Sequence, residues 1–281
     1  MDDLLPAHRP HDVIATSICA QFLQTTMERA LTVRSTDTQA DAAHRLGATH
    51  FSQAPVVDYG EILGCVFVDA LDPLSGGTVA AAMVPLRPEA LVTADAPISE
   101  LLRWLQRRRF LFVLDGNDVS GFVVIADLNK QPARTYFYLL VSEVEMNIAD
   151  LLRAPPNDPE MVLGLLSVGR QKQVRDQYRR QMELGVETDL IGAFMFVDLL
   201  TACSKHDELP QKLGIESKAT WQKLTGGLDA FRNAVMHLNR EMLLEDDREA
   251  LDGLIRRDHN LRELLARTRH ALQDSASAEA P

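Results

Sequence analysis

The feature that most constrains the fold is a pattern of helix, strand, turn and strand that occurs twice between residues 31 and 130. The first copy is predicted to contain one helix and two strands, Thr38–Leu46, Pro55–Val57 and Ile62–Val68. The second is predicted to contain the same three elements, Pro97–Arg109, Phe110–Leu114 and Ser120–Ile125. A unit of this size has too little core to fold alone, so the two copies are expected to stack.

The segments that flank the repeat suggest further parts of the chain. Residues 1–30 are predicted to be a polar arm followed by a helix over Val13–Leu31, where apolar residues recur at helical spacing. Strongly helical patterns then fill residues 133–272. From Gln273 the chain is small and polar, and residues 273–281 are expected to be a disordered tail. The fold class is therefore α+β, with an α/β domain at 31–132 and an all-α bundle at 133–272.

The repeat resembles a tandem pair of CBS domains, regulatory modules that bind adenosine-type ligands in clefts between the two copies. In that family each copy ends with a strand opened by glycine, a hydroxyl residue and an Asp that binds ribose hydroxyls. The second copy, GFVVIADL, keeps Gly121 and Asp127 but has Val124 in place of the hydroxyl residue. The first, GCVFVDAL, has Gly64 and Asp69 one residue closer together.

An adenine nucleotide is therefore the expected ligand of the CBS pair. The resemblance implies Gly121 and Asp127 as its binding residues, with Asp127 on the ribose. The alternative is that Asp127 caps the helix that follows it.

The other informative stretch is RNAVMH, Arg232 to His237, within a segment predicted to be helical from Leu224 to Leu244. Its apolar residues recur at helical spacing and should form a buried stripe, with Gly226 and Gly227 bending or interrupting the helix. On this helix, Asn233 and His237 are predicted to lie on the face opposite the stripe, with Arg232 at its edge. A guanidinium can fork onto a phosphate and an imidazole can move a proton near neutral pH. Arg45 and His50 share the spacing, so context has to support the motif.

In its helical context the motif resembles the HEPN superfamily, all-helical domains whose catalytic members carry an Arg, often a polar residue after it, and a His. The resemblance implies a dimer with one composite site, at which His237 transfers protons and Arg232 stabilises charge as a ribose 2′-OH attacks its own phosphate. Asn233 completes the expected catalytic set, and no metal or cofactor is needed for the reaction. HEPN members that only bind nucleotides or scaffold partners also exist.

Two acidic residues in the first helix of this region, Glu143 and Glu145, lie among apolar residues and need partners if they are buried. First helices of HEPN domains often carry such acids. Arg232 or Arg240 is the expected partner, and Glu143 and Arg240 are therefore assigned a supporting role. The alternative is that this side of the helix faces water.

Charge and composition bound the function further. The net charge is −11 and the pI about 5.2, so any RNA is expected to bind at a local basic patch. The densest basic segment is Gly169–Glu183, which is either that patch or solvated surface. Three cysteines without paired spacing, no signal peptide and no long apolar run predict a cytoplasmic protein without a membrane partner, a disulfide or a metal site.

These observations give three hypotheses. The first is a metal-independent endoribonuclease, active as a homodimer or higher oligomer on RNA and controlled by a nucleotide at the CBS pair. The second is a non-catalytic nucleotide sensor or scaffold that acts through dimerisation or a protein partner, which the acidic pI favours. The third is a toxin-like protein that is modified with a nucleotide and whose partner is encoded elsewhere.

Overall fold

The computed structural model describes residues 17–237, 242–243 and 248–278. These residues divide into two compact units. An α/β unit comprises residues 17–133 with 243 and 248–251, and a helical unit comprises residues 134–237, 242 and 252–278. Within the described ranges, no helix combines the length and the apolar character needed to span a lipid bilayer.

The α/β unit is built from short helices and strands. In chain order they are α1 (Ala20–Leu23), β1 (Thr25–Thr26), α2 (Gln39–Thr49), β2 (Gln53–Asp58), β3 (Glu61–Phe67), α3 (Val79–Ala82), β4 (Val84–Pro85), β5 (Leu91–Thr93), α4 (Ile98–Arg107), β6 (Phe110–Asp115) and β7 (Asp118–Val124). The two predicted copies are present, as α2-β2-β3 and α4-β6-β7. Each predicted helix and strand of the repeat has its counterpart within a few residues of the expected bounds.

The two copies exchange strands. One sheet has the order β1-β7-β6-β5 and the other β2-β3-β4. Strand β1, which precedes the first copy, therefore pairs with β7 of the second, and β4, which precedes the second copy, pairs with β3 of the first. Each copy thus completes its sheet with a strand that lies just before the other copy in the chain.

A glycine lies at each exchange point. Gly64 is paired with Pro85, and Gly121 with Thr26. A Cβ atom on Gly64 would lie 2.1 Å from the carbonyl oxygen of Val84, and one on Gly121 would lie 2.5 Å from the carbonyl oxygen of Thr25. Both positions need glycine because the backbone of the exchanged strand passes so close.

The N-terminal helix predicted over Val13–Leu31 is wrong within the described residues. Ser17 and Ala20–Leu23 are helical there, but Ile18 and Cys19 interrupt the helix and Thr25–Thr26 is strand β1. Ile18 and Leu23 are buried, as their apolar character predicts, but strand β1 of this segment pairs with β7. Local spacing carries no information about a strand so far along the chain.

Two clusters of buried apolar residues belong to the core of the α/β unit. One lies within the first copy and includes Val33, Leu46 and Val56. The other is aromatic, with the rings of Phe110 and Phe122 stacked at 4.6 Å between centroids. Leu91 and Leu86 also pack there.

The helical unit contains longer helices. In chain order they are α5 (Gln131–Arg153), α6 (Pro159–Gly164), α7 (Val168–Glu183), α8 (Phe196–Lys205), α9 (Leu209–Lys212), α10 (Lys218–Thr225), α11 (Leu228–Met236) and α12 (Arg248–Ala278). The first residues of α5 and α12 are counted with the α/β unit. The disordered tail predicted from Gln273 is wrong as far as Ala278, because α12 continues to that residue. Alanine favours helix, and the hydroxyl of Ser275 donates to the Ala271 carbonyl at 2.9 Å.

Helices α5 and α12 are joined by buried polar contacts. The hydroxyl of Tyr136 donates to Asp258 at 2.6 Å and accepts from Arg262 at 2.7 Å. Further along, the amide of Asn147 donates to the hydroxyl of Thr268 at 3.1 Å. The partners advance along both helices in the same order, so α5 and α12 run parallel where they touch.

Candidate functional site

The Arg-Asn-His motif lies at the end of α11. The Gly226–Gly227 pair separates α10 from α11, and Gly227 adopts a left-handed φ of 79°, as the glycine pair suggested. The predicted stripe is buried within the described residues, at Leu224, Leu228, Phe231 and Val235. The ring of Phe231 packs edge-on against Phe137 of α5 at 5.3 Å, which fixes the rotation of α11.

His237 lies just outside the helix, contrary to the prediction. Helix α11 ends at Met236, and His237 is its C-cap with φ −99° and ψ 101°. Buried Arg134 of α5 ends the helix there, because its guanidinium donates to the carbonyls of Ala234 at 3.0 Å and His237 at 3.3 Å. The side chain of His237 is exposed, and its described hydrogen bonds are made by its backbone.

Arg232 and Asn233 are both partly buried and touch each other. Nη1 of Arg232 lies 3.5 Å from Oδ1 of Asn233, at the limit for a hydrogen bond. Nε of Arg232 lies 3.9 Å from Glu145, and this nitrogen is buried without a hydrogen-bond partner. Burial raises the pKa of Glu145, an effect that Arg232 opposes and Asp229 adds to. The guanidinium is held near a carboxylate, but weakly.

The two acids of α5 have different partners. Glu145 meets Arg232, one of the two expected arginines. Glu143 does not contact Arg232, because residues two apart on a helix point to opposite sides. Its carboxylate accepts instead from Nε of Arg269 in α12 at 2.8 Å. Glu143 is 3% exposed, so the alternative that this side of the helix faces water is wrong there. Arg240, the other supporting residue, lies outside the described residues.

The carboxylate of Asp127 is used inside the protein. It is 5% exposed, and Oδ2 accepts from the backbone N–H of Val124 at 2.7 Å. Oδ1 forms an ion pair with Lys130 at 2.7 Å, and Lys130 in turn donates to the Leu23 carbonyl at 2.6 Å. Asp127 lies inside the short 3-10 helix Ile125–Asn129 and accepts from the N–H of its N-cap, Val124, so it caps the helix that contains it and not, as the alternative had it, the helix that follows. Gly121 is explained by the close approach of β1.

The corresponding end of the first copy is more open. The carboxylate of Asp69 is 64% exposed and accepts from Nη1 of Arg109 at 2.7 Å. The same guanidinium lies 4.5 Å from the centre of the Phe67 ring. The sequence singled out Asp69 for its spacing from Gly64, but nothing local could show that Arg109 is its partner.

The three cysteines are free and buried. Burial raises the pKa of Cys203 to about 12, and that of Cys65 to about 12 although Arg109 opposes the shift. These two thiols therefore stay protonated at neutral pH and are poor nucleophiles. Across the described ranges, His, Cys, Asp and Glu side chains form no group of three or more that could hold a metal ion.

The basic helix α7 has largely paired its charge. Arg170 forms an ion pair with buried Asp198, Arg175 with Glu160, and Arg179 with Asp176. Lys172 and Arg180 are exposed, and neither has such a partner among the described residues. This arrangement favours the interpretation of α7 as solvated surface.

The chain therefore consists of a CBS-like α/β unit followed by a helical region. Residues 23–70, the first copy, match the CBS domain family. No curated protein matches the chain.

Solved structures similar to the chain include the CBS domain of a bacterial CNNM/CorC family Mg²⁺ transporter in complex with ATP. It is 20% identical, with a TM-score of 0.37 over 42% of this chain and 89% of that one. CBSX2 of Arabidopsis thaliana is 18% identical, with a TM-score of 0.36 over 42% of this chain and 94% of that one. CBSX2 in complex with AMP is 19% identical, with a TM-score of 0.36 over 42% and 96%.

Proposed function

We propose that this chain is a regulatory protein whose α/β unit binds an adenine nucleotide and thereby controls the helical unit. The observation that carries the proposal is the pair of α/β copies, the first of which matches the CBS domain family over residues 23–70. Control requires that the nucleotide bind two states of the protein with different affinity.

The ribose contact belongs at Asp69 in this proposal. Both oxygens of Asp127 already have partners and its side chain is buried, so a ligand there would have to break the cap and the Lys130 pair. Asp69 is exposed, and its partner Arg109 is a cation that can fork onto a phosphate. Ribose hydroxyls would bind the carboxylate, and Arg109 would turn from Asp69 to the phosphate.

Replacing Asp69 with Asn is expected to weaken AMP binding at least about tenfold, since a hydrogen bond to a charged group contributes about 1.5–3 kcal/mol. Isothermal titration of the full chain with AMP measures the affinity. Asp118→Asn is the matched control, because Asp118 is exposed on the hairpin between β6 and β7. Equal affinity of wild type and Asp69→Asn would remove the site from Asp69, and no heat with AMP or ATP at millimolar concentration would refute nucleotide binding.

A second candidate function is RNA cleavage at Arg232, Asn233 and His237. It is favoured by the state of Arg232, whose one ion pair among the described residues is long and whose Nε has no acceptor. Such a guanidinium can gain from a phosphate oxygen. The exposed imidazole of His237 would take or give the proton as a ribose 2′-OH attacks the phosphate, and a homodimer would bring two such sites together. The non-catalytic scaffold predicted as the alternative uses the same surface without chemistry.

Replacing His237 with Ala is expected to reduce metal-free cleavage of total cellular RNA by about 10²-fold or more, the usual contribution of a general acid or base. Gel analysis of the fragments, with detection of 2′,3′-cyclic phosphate ends, measures the reaction. His50→Asn is the control, because His50 has the same spacing from an Arg and a left-handed φ of 57° that Asn tolerates. If wild type and His237→Ala are equally inert while AMP still binds, the scaffold function replaces cleavage.

A further inference from the structure

A cavity of about 430 Å³ lies between α10 and α12 in the helical unit. The two helices are tied together beside it, since the amide of Asn260 donates to the carbonyl of Lys223 at 3.0 Å. Leu224 is buried and Ile255 half-buried, and together they give the cavity an apolar wall. Neither the Arg232 motif nor the α/β unit contributes to its lining.

Cations line the mouth of this cavity without a carboxylate to neutralise them. Lys223 and Arg256 are exposed, and neither forms a salt bridge within the described part of the chain. Glu263 also lines the cavity, but its Oε1 accepts from Arg267 at 2.7 Å and its Oε2 lies 3.5 Å from Nε2 of His259. Its charge is therefore already paired with Arg267, which does not line the cavity.

A further guanidinium strengthens the positive field. The guanidinium groups of Arg256 and Arg257 both lie beside Gly253. A Cβ atom on Gly253 would be 3.7 Å from Nη2 of Arg256 and 3.2 Å from Nη1 of Arg257, so the two charged ends lie near each other. Burial lowers the pKa of Arg257, and its neighbour Arg256 lowers it further. Like charges so close together repel each other, and an anionic ligand would relieve that repulsion.

We propose that this cavity binds a terminal phosphate, with Lys223 and Arg256 donating to its oxygens and with Leu224 and Ile255 against the attached sugar or base. The phosphate can belong to a free nucleotide or to the 5′ end of an RNA, since the chemistry of both is the same. The proposal is independent of the nucleotide site at Asp69 and of cleavage at His237. It also gives the local basic patch that the acidic chain needs for RNA, in a place other than α7.

The test compares full-length wild type with the double variant Lys223→Gln, Arg256→Gln. Fluorescence anisotropy follows binding of a 3′-labelled pentauridylate with a 5′-phosphate, and inorganic phosphate and UMP compete for the site. Uridine ligands avoid the adenine site proposed at Asp69. The double variant is expected to bind at least about tenfold more weakly, because two charge-assisted hydrogen bonds are lost. Lys172→Gln, Arg180→Gln is the matched control, since both residues are exposed cations of α7.

If UMP binds as tightly as the oligomer, the result supports a free nucleotide as the ligand. If the oligomer binds much more tightly than UMP, the result supports the 5′ end of an RNA. A 5′-hydroxyl pentauridylate that binds as tightly as the phosphorylated one would overturn the proposal. So would equal losses in the double variant and in the α7 control. Circular dichroism of both variants establishes that any loss is not unfolding.

Discussion

Replacing Arg170 with Met is expected to destabilise the helical unit by about 3 kcal/mol or more, the cost of leaving a buried charge without its partner. Arg170 donates from Nε to Oδ1 of Asp198 at 2.9 Å, and its Nη2 also bonds that carboxylate. Asp198 is 3% exposed, and its Oδ2 accepts from the Met195 N–H at 2.9 Å at the start of α8. Methionine keeps the length of the side chain, so the loss would reflect charge and hydrogen bonding.

The control lies one turn further along α7. Arg175 also pairs with an acid, but Glu160 is 61% exposed, and surface pairs of this kind contribute about 0–1 kcal/mol. Urea unfolding followed by Trp221 fluorescence, in a Trp104→Phe background, reports on the helical unit alone because the chain has two tryptophans, one in each unit. Equal losses for Arg170→Met and Arg175→Met would show that burial of Asp198 does not matter.

Replacing Gly64 with Ala is expected to destabilise the α/β unit by about 3 kcal/mol, near the upper end of the usual cost of overpacking. The added methyl would lie 2.1 Å from the Val84 carbonyl oxygen and 2.9 Å from Cα of Pro85. Both are backbone atoms, which cannot turn aside as a side chain would. Relief requires β4 to move away from β3, with loss of their pairing.

Gly47→Ala is the matched control for this substitution. Gly47 lies in α2, and a Cβ atom there would have no heavy atom within 4 Å. The Gly47→Ala variant is therefore expected to be more stable than wild type by up to about 1 kcal/mol. Trp104 fluorescence in a Trp221→Phe background follows unfolding of the α/β unit. A loss under about 1 kcal/mol for Gly64→Ala would mean that β4 is not held against β3 in solution.

The repeat could be predicted from the sequence because its information is local. Short apolar runs and turn residues such as Asp58 and Gly60 predict a hairpin without reference to the rest of the chain. Strand β1 could not be predicted, because two threonines form a strand here only by pairing with Phe122 and Gly121. The buried stripe of α11 was likewise readable from spacing, whereas the end of the helix at Met236 depends on Arg134 of another helix.

The candidate sites were readable to a smaller extent, because residue type does not determine the partner. The sequence showed that Glu143 and Glu145 needed cations, yet their assignment to Arg269 and Arg232 depends on which side of α5 each occupies. For Asp127, the sequence offered a ribose contact or a cap on the following helix, whereas its Oδ2 accepts from the Val124 N–H at the start of its own 3-10 helix. Lys223 and Arg256 come together only when α10 and α12 pack.

The exchanged strands determine the order in which the α/β unit can be completed during synthesis. The segment that matches the CBS domain family ends at residue 70, before β4, so it leaves the ribosome with an unpaired edge on β3. Strand β1 can pair only after β7 has been synthesised. Until their partner strands are made, the unpaired edges of β1 and β3 can pair with other chains. A fragment limited to residues 23–70 is therefore expected to aggregate, and the two copies are expected to fold as one unit.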